Sequence, residues 1–145
     1  MAPTLVVGLD GEGSGDRALA YAKKMAGLIG DCNLLIVYVV EWSPFSFQTP
    51  EENEMRHKRR VEEIATATAR VIDPAIASLE KEGLKAKGLV RHGDVADTLN
   101  AVAEEVGATQ IIVSRSSEGG FTRRIFGSST ANLVMSATVP VTVVG

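Results

Sequence analysis

Cysteine and histidine are scarce in this chain, which has one cysteine and two histidines among its 145 residues. The lone cysteine, Cys32, excludes an intrachain disulfide and a cluster of thiolates around a metal ion. Two histidines beside it supply too few nitrogen ligands for a convincing zinc site. No motif pairs a serine nucleophile with a base. We therefore predict neither a metal site nor a catalytic residue set.

Long apolar runs and a large excess of one charge are also missing. The longest aliphatic run, Leu34 to Val37, reaches only Val40 if Tyr38 is counted, whereas a membrane-spanning helix needs about 20 residues. A net charge of −3 gives no reason to expect binding to nucleic acid or to anionic membranes. No basic segment precedes the apolar run at Thr4, so we expect no signal peptide and a cytoplasmic location.

Short apolar runs alternate with longer amphipathic stretches throughout the chain. The runs are rich in β-branched residues and too short for helices, so each predicts a buried strand. The predicted strands are Thr4 to Leu9, Asn33 to Val40, Leu84 to Arg91, Thr109 to Val113 and Val139 to Val144. The predicted helices run from about Ser14 to Ile29, Glu51 to Glu82, Asp94 to Val106 and Gly127 to Ala137. This alternation predicts one α/β domain over residues 1–145, a doubly wound parallel sheet with right-handed crossovers.

Several residues predict where the sheet ends and which helix faces are buried. Lys85 and Lys87 alternate with apolar residues in the third run, which suits an edge strand. Pro140, near the start of the fifth run, places that strand at a sheet margin as well. Val61 and Val106 continue the apolar stripes of their helices, so we expect both to face the core.

Two segments depart from the regular pattern. Asp73-Pro74 interrupts the long helical stretch while the apolar phase continues through it, which predicts either a kink or a restart capped by Asp73. The segment from Glu41 to Pro50 holds two prolines and three aromatic residues, which excludes a strand or a helix interior. One interpretation makes this segment a lid or an oligomer contact, and the other folds it back over one end of the core.

The stretch from Ile111 to Thr130 is the strongest candidate for a ligand site. A strand runs into a small-residue loop, and the chain returns to a helix that opens with Gly127-Ser128-Ser129. Free backbone N–H groups and the helix dipole favour an anion at such a helix start. Ligands of doubly wound sheets bind beyond the carboxyl ends of the strands, where the strand order reverses. If strands one and four are neighbours, Asp10-Gly11 forms the opposite wall of that crevice.

Three parts of the sequence resemble the universal stress protein family (UspA-like), and together they cover essentially the whole chain. LVVGLDGEGSGDRALAYA is similar to that family's first strand, aspartate and first helix. RHGDVADTL and the later GATQIIV are similar to its third-strand exit and fourth-strand entry. GSSTANLVMSATVPVTVV is similar to its closing helix and strand. The resemblance implies a Rossmann-like sheet of the adenine-nucleotide alpha-hydrolase type with strand order 3-2-1-4-5.

The nucleotide-binding branch of that family has a loop motif with defined spacing. It consists of a glycine, two residues, a second glycine, nine residues, and a glycine followed by serine or threonine. Counted back from Gly127-Ser128, the two leading glycine positions fall on Ser114 and Ser117. The spacing and the last element are preserved, whereas both leading glycines are replaced by serine. A serine hydroxyl can donate to a phosphate or ribose oxygen, but its side chain also takes up space.

The resemblance assigns a role to each candidate site residue. Phosphates are expected at Gly127, Ser128 and Ser129, with the ribose and phosphate chain along Ser114, Arg115 and Ser117. The nucleoside end is expected at Asp10 and Gly11 and at the backbone of Val39 or Val40. Without the resemblance, Asp10 is equally well explained as a turn residue at the end of a strand.

Two functions are consistent with these residues. In the first, the chain binds an adenine nucleotide (ATP or AMP, with or without Mg²⁺) and acts in stress response through conformation or dimerisation, at most as a slow ATPase. In the second, it is a dimeric interaction or scaffold protein that binds no nucleotide, because Ser114 and Ser117 occlude the crevice. Both include a homodimer formed through the exposed edge of Val139 to Val144, and neither includes a nucleic-acid or membrane partner.

Overall fold

A computed structural model of the chain describes residues 2–9, 15–41, 49–115 and 128–145. Its strands are β1 (Thr4–Leu9), β2 (Asn33–Glu41), β3 (Lys85–Gly93), β4 (Gln110–Ser114) and β5 (Val141–Val144). Its α-helices are α1 (Gly15–Ile29), α2 (Pro50–Ala67), α3 (Asp73–Lys81), α4 (Val95–Val106) and α5 (Ser128–Ser136). A π-helical turn, Thr68–Ile72, joins α2 to α3.

The five strands form one parallel sheet in the order β3-β2-β1-β4-β5. This confirms the predicted fold class and strand order, with strands one and four as neighbours. β3 and β5 are the two edges, as the lysines of β3 and Pro140 predict. β5 begins at Val141, two residues later than predicted, because Pro140 stands just before the strand and contributes only its carbonyl, which accepts from Ile111 N.

Helices cover both faces of the sheet, and alternate strand residues fill two separate cores. On the α1 face, Leu5, Val7 and Ile112 pack against α1, the π-helical turn and α3. On the α4 face, Val6 and Ile111 pack against α4 and α5. Leu79 of α3 and Leu133 of α5 are at most 1% exposed, so α3 and α5 are each anchored by a fully buried side chain.

The long helical stretch neither restarts at Asp73 nor breaks at Pro74. Asp73 has helical φ and ψ, its side chain makes no cap, and its N–H reaches back five residues to the carbonyl of Thr68. A proline in a helix lacks a donor and crowds the carbonyl four residues earlier, here that of Arg70. The wider π turn relieves that crowding without ending the helix. Of the two predicted alternatives, the restart capped by Asp73 was therefore wrong.

Two expectations about buried faces were also wrong. Val61 is 55% exposed and Val106 is 42% exposed. Val61 lies in α2, whose residues from Pro50 to Thr66 include no buried side chain. Val106 is the last residue of α4, one position before the left-handed Gly107. Helical periodicity identifies a stripe, but it does not show where along the helix the neighbouring sheet stops.

Residue types that favour helix ends lie at the ends of α3 and α4. Asp94 caps α4 by accepting from Asp97 N at 3.0 Å, and Gly107 ends that helix with φ of 63°. Gly83, with φ of 80°, follows the end of α3. A capping box that the sequence analysis missed starts α2, where Thr49 and Glu52 bond each other's backbone N–H. Residues 42–48 of the aromatic segment lie outside the described residues, so its two interpretations remain predictions.

Candidate functional site

The carboxyl ends of β1 and β4 meet at the centre of the sheet. Val7 pairs with Ile112, and the two strands end at Leu9 and Ser114. From β1 the chain crosses to β2 on one side, and from β4 it crosses to β5 on the other. The strand order therefore reverses between β1 and β4, and this is where doubly wound sheets bind ligands.

β2 extends beyond the end of β1, and its last residues pair with no described residue on the β1 side. Its pairing with β1 stops at Leu9 and Tyr38, whereas its pairing with β3 continues to Glu41. Asn33 N donates to Pro3 O, so odd-numbered β2 residues direct their backbone groups toward β1. By this alternation, the carbonyl of Val39 and the N–H of Glu41 also point toward the β1 side, at a level beyond Leu9, the last residue of β1. An acceptor and a donor thus lie side by side there.

Val39 and Val40 have different surroundings although they are consecutive. The side chain of Val39 is 7% exposed and packs on the α4 face, where α5 also lies. Val40 is half-buried and points to the opposite face of the sheet. Of the two predicted nucleoside contacts, Val39 therefore shares a sheet face with the helix expected to hold the phosphates.

Ser114 is hydrogen-bonded to the first turn of α1. Its Oγ accepts from the backbone N–H of Ala18 at 3.0 Å. Because Ile112 points to the α1 face, Ser114 two residues later also points to that face. The hydroxymethyl group at the first glycine position of the motif is therefore directed toward α1, away from the face on which α5 packs.

Arg17, which was not among the predicted site residues, links α1 to the residue after β4. Its guanidinium donates to the carbonyl of Arg115, next to the Ser114–Ala18 hydrogen bond. Arg115 N in turn donates to Val144 O at 2.8 Å, which fixes the same residue to the end of β5. The described start of the loop is thus held from both sides. No motif marks Arg17, since its partner is a backbone carbonyl 98 residues away.

The helix expected at the phosphates is present, and its first residue is Ser128. Ser129 is half-buried in the first turn, where backbone N–H groups lack intrahelical partners. Leu133, 1% exposed, anchors this helix to the core of the α4 face. Four predicted site residues, Asp10, Gly11, Ser117 and Gly127, lie outside the described residues, as does the side chain of Ser128.

Asp94 and His92 each contact a different element of the described structure. Asp94 uses its carboxylate to cap α4, and His92 Nε2 lies 3.9 Å from Glu63 Oε2 on α2. In the described ranges, no group of three or more His, Cys, Asp or Glu residues is placed to hold a metal ion. No helix in the same ranges is long and apolar enough to cross a membrane.

The fold defines a doubly wound α/β protein, and its candidate site lies at the switch point of the sheet. The profile of the universal stress protein family matches residues 1–145, so the chain belongs to that family. No curated protein sequence matches it.

Solved structures share the fold over nearly the whole chain. Hypothetical protein MJ0577 is 19% identical with a TM-score of 0.80, over 99% of this chain and 96% of that one. UspA from Lactobacillus plantarum is 20% identical with a TM-score of 0.79, over 99% and 97%. A universal stress protein family member from Burkholderia pseudomallei is 27% identical with a TM-score of 0.66, over 97% and 94%.

Proposed function

We propose that this chain binds an adenine nucleotide at the switch point and acts in stress response through that binding. The observation that carries the proposal is the end of β2 beyond its described pairing with β1, where the carbonyl of Val39 and the N–H of Glu41 face the crevice. Adenine presents an amino donor beside a ring-nitrogen acceptor, and this pattern complements one carbonyl and one N–H on the same strand edge. The first turn of α5 offers N–H groups for phosphate at the other end.

Known structures of the same fold support this ligand class. A universal stress protein from Archaeoglobus fulgidus has been solved in complex with dAMP, and a family member from Arabidopsis thaliana with AMP bound. Another universal stress protein has been solved in complex with cAMP. These proteins are 16–23% identical to this chain, so they support the class of ligand and not individual contacts.

The position of Ser114 favours nucleotide binding over the occluded alternative. A serine that blocked the crevice would point its hydroxymethyl group at the ligand. Here the Oγ accepts from Ala18 N, and the side chain lies on the α1 face. The replacement of the first motif glycine is therefore accommodated by α1.

Calorimetric titration with AMP and ATP, each with and without Mg²⁺, tests the proposal. We expect saturable binding and a rise in the thermal midpoint. Ser129→Asp places a negative charge at the start of α5 and should weaken AMP binding more than adenosine binding. Ser78→Asp is the matched control and should leave both unchanged, because Ser78 is exposed on α3, on the face of the sheet opposite to α5. Absence of heat and of thermal shift at millimolar AMP and ATP would refute the proposal.

We also propose that the nucleotide-binding unit is a homodimer paired through β5. The carbonyls of Pro140 and Val144 face β4, so by alternation Val141 and Val143 direct their backbone groups to the open edge. An edge with unpaired donors and acceptors is suited to antiparallel pairing with a second copy across a two-fold axis.

Two separate proline substitutions, each examined by light scattering, test this assembly. Val143→Pro removes an N–H on the open edge and should give a folded monomer. Thr142→Pro removes an N–H directed at β4 and should unfold the chain instead. A wild-type protein that is monomeric at micromolar concentration would contradict the dimer.

A further inference from the structure

A second cavity lies beneath α2, on the face of the sheet opposite to Val39. Its volume is about 410 Å³, within the range of small-ligand sites. Tyr38 and Val40 of β2 form its floor, and α2 with the π-helical turn forms its wall. The side chain of Val39 packs on the other face, and the backbone groups proposed to contact the nucleotide point toward β1, so the cavity uses different groups of β2. We call it the α2 cavity.

The wall of the α2 cavity is more polar than a helix face turned toward a sheet normally is. Its residues recur every three or four positions, so they form one helical face. They are Arg59, Glu62, Glu63, Thr66, Ala67, Arg70 and Val71. Five of the seven are charged or hydroxylated, and only Ala67 among them is fully buried. A face of this kind does not close onto the sheet by apolar packing, which leaves the cavity open.

The two ends of the wall differ in charge. At one end, Arg59 lies one turn from Glu62 and Glu63, whose carboxylates offset its charge. At the other end, Arg70 lies two turns from those carboxylates and next to the apolar Ala67 and Val71. Neither arginine makes an ion pair with the described residues, whereas Glu63 lies 3.9 Å from His92.

The π-helical turn places the Arg70 end of the cavity. Arg70 and Val71 belong to this turn, and its wider backbone is set by the bond from Asp73 N to Thr68 O. Such turns occur frequently at functional sites, because they displace side chains from ordinary helical positions. Here the residues in the turn are Arg70 and Val71, which bring a guanidinium and an apolar side chain to the same end of the α2 cavity.

We propose that the α2 cavity binds a small amphipathic organic anion, an aromatic or aliphatic body that carries one carboxylate or sulfonate. The body lies on Tyr38, Val40 and Val71. The acid group is held by Arg70, whose planar guanidinium can donate two parallel hydrogen bonds to it. This proposal does not depend on nucleotide binding, because none of its contacts uses the backbone carbonyl of Val39 or the N–H of Glu41 that face β1.

Fluorescence titration with 1-anilinonaphthalene-8-sulfonate tests this site on the full chain. We expect saturable binding to the folded protein and competition by 1-naphthoate but not by the uncharged 1-naphthalenemethanol. Arg70→Gln should weaken binding about tenfold, the usual size of a charge-assisted hydrogen-bond loss. Lys58→Gln, on the same helix but outside the wall, is the matched control and should bind like the wild type.

A second variant reduces the volume of the α2 cavity and leaves the charge of Arg70 in place. Ala67→Leu adds a larger side chain to the wall and should abolish binding while keeping Arg70. Thermal melting of every variant shows whether it is folded, and Arg70→Gln alone decides the question if Ala67→Leu fails to fold. Equal dye affinity in wild type and Arg70→Gln, or competition by both naphthyl compounds alike, would overturn the proposal.

Discussion

The hydroxyl of Ser114 accepts a hydrogen bond from the backbone N–H of Ala18, and this bond joins the end of β4 to the first turn of α1. The adjacent Arg17 makes a second link to the carbonyl of Arg115. Serine at this position therefore contributes a tertiary contact that glycine could not make. Serine has less backbone freedom than glycine, and its hydrogen bond fixes the position at which the loop after β4 begins.

Removing the Ser114 hydroxyl should cost stability without changing the crevice. Ser114→Ala deletes the acceptor of Ala18 N and should lower the free energy of unfolding by about 1 kcal/mol. Ser114→Gly should cost a further 0.5–1 kcal/mol or so, since glycine loses more backbone entropy on folding. Urea denaturation measures both changes, and calorimetry with AMP should show equal affinities. Tighter AMP binding by Ser114→Gly would instead show that the side chain obstructs the ligand.

Gly88 of β3 should not tolerate a side chain. A Cβ built there would overlap the Cγ2 methyl of Ile72, a β-branched residue that is 3% exposed in the π-helical turn. Gly88→Ala should therefore destabilise the fold by roughly 1–3 kcal/mol, the usual cost of overpacking. Gly27→Ala is the control, because a Cβ on that helical glycine meets nothing within 4 Å. That change should stabilise the protein by up to about 1 kcal/mol, and a loss in both variants would contradict the steric explanation.

Most of the fold could be predicted because its signals are local. The β-branched run at Thr4–Leu9 becomes β1 with the same bounds, and Asp94 and Gly107 cap α4 as their residue types indicate. The π-helical turn could not be predicted from residue types. It depends on the backbone conformation that relieves the steric clash between Pro74 and the carbonyl four residues earlier. The exposure of Val61 could not be predicted either, since periodicity does not report how far α2 lies from the sheet.

The site was less predictable than the fold. Ser129 and Val39 were predicted as site residues from the family resemblance, and the structure places both on the α4 side of the sheet. Arg17 was missed because its guanidinium bonds a backbone carbonyl, and Glu41 was missed because the contact proposed for it uses its own N–H. A contact to a backbone group does not require a particular residue type, so it cannot be recognised from the sequence. The distance by which β2 extends beyond β1 is seen only in the pairing of the strands.

The carboxylate of Asp94 should act as a helix cap and not as a catalytic group. Asp94→Ala leaves Asp97 N without its side-chain acceptor and should cost about 1 kcal/mol of unfolding free energy. Asp94→Asn keeps a capping oxygen and should restore most of that loss. Urea denaturation distinguishes the two variants. Equal destabilisation by both would show that the negative charge, and not the cap hydrogen bond, stabilises the start of α4.

Cys32 should make the folded protein less stable in alkali. Burial raises the pKa of this thiol above its ordinary value of 9.0, and the nearby Asp31 carboxylate adds to the shift. The folded state therefore holds the thiol proton at a pH where the unfolded chain has lost it. Since the unfolded state then binds fewer protons, the free energy of unfolding falls as pH rises through and above the ordinary pKa.

Stability curves from pH 7 to pH 10 test this titration. The wild type should lose more stability over that range than Cys32→Ala, which has no thiol to ionise. Alkylation should agree, because a side chain that is 4% exposed and mostly protonated reacts slowly until the protein unfolds. Asp31→Asn removes the smaller cause and should leave most of the slope in place. Identical pH profiles for wild type and Cys32→Ala would show that the thiol titrates alike in the folded and unfolded states.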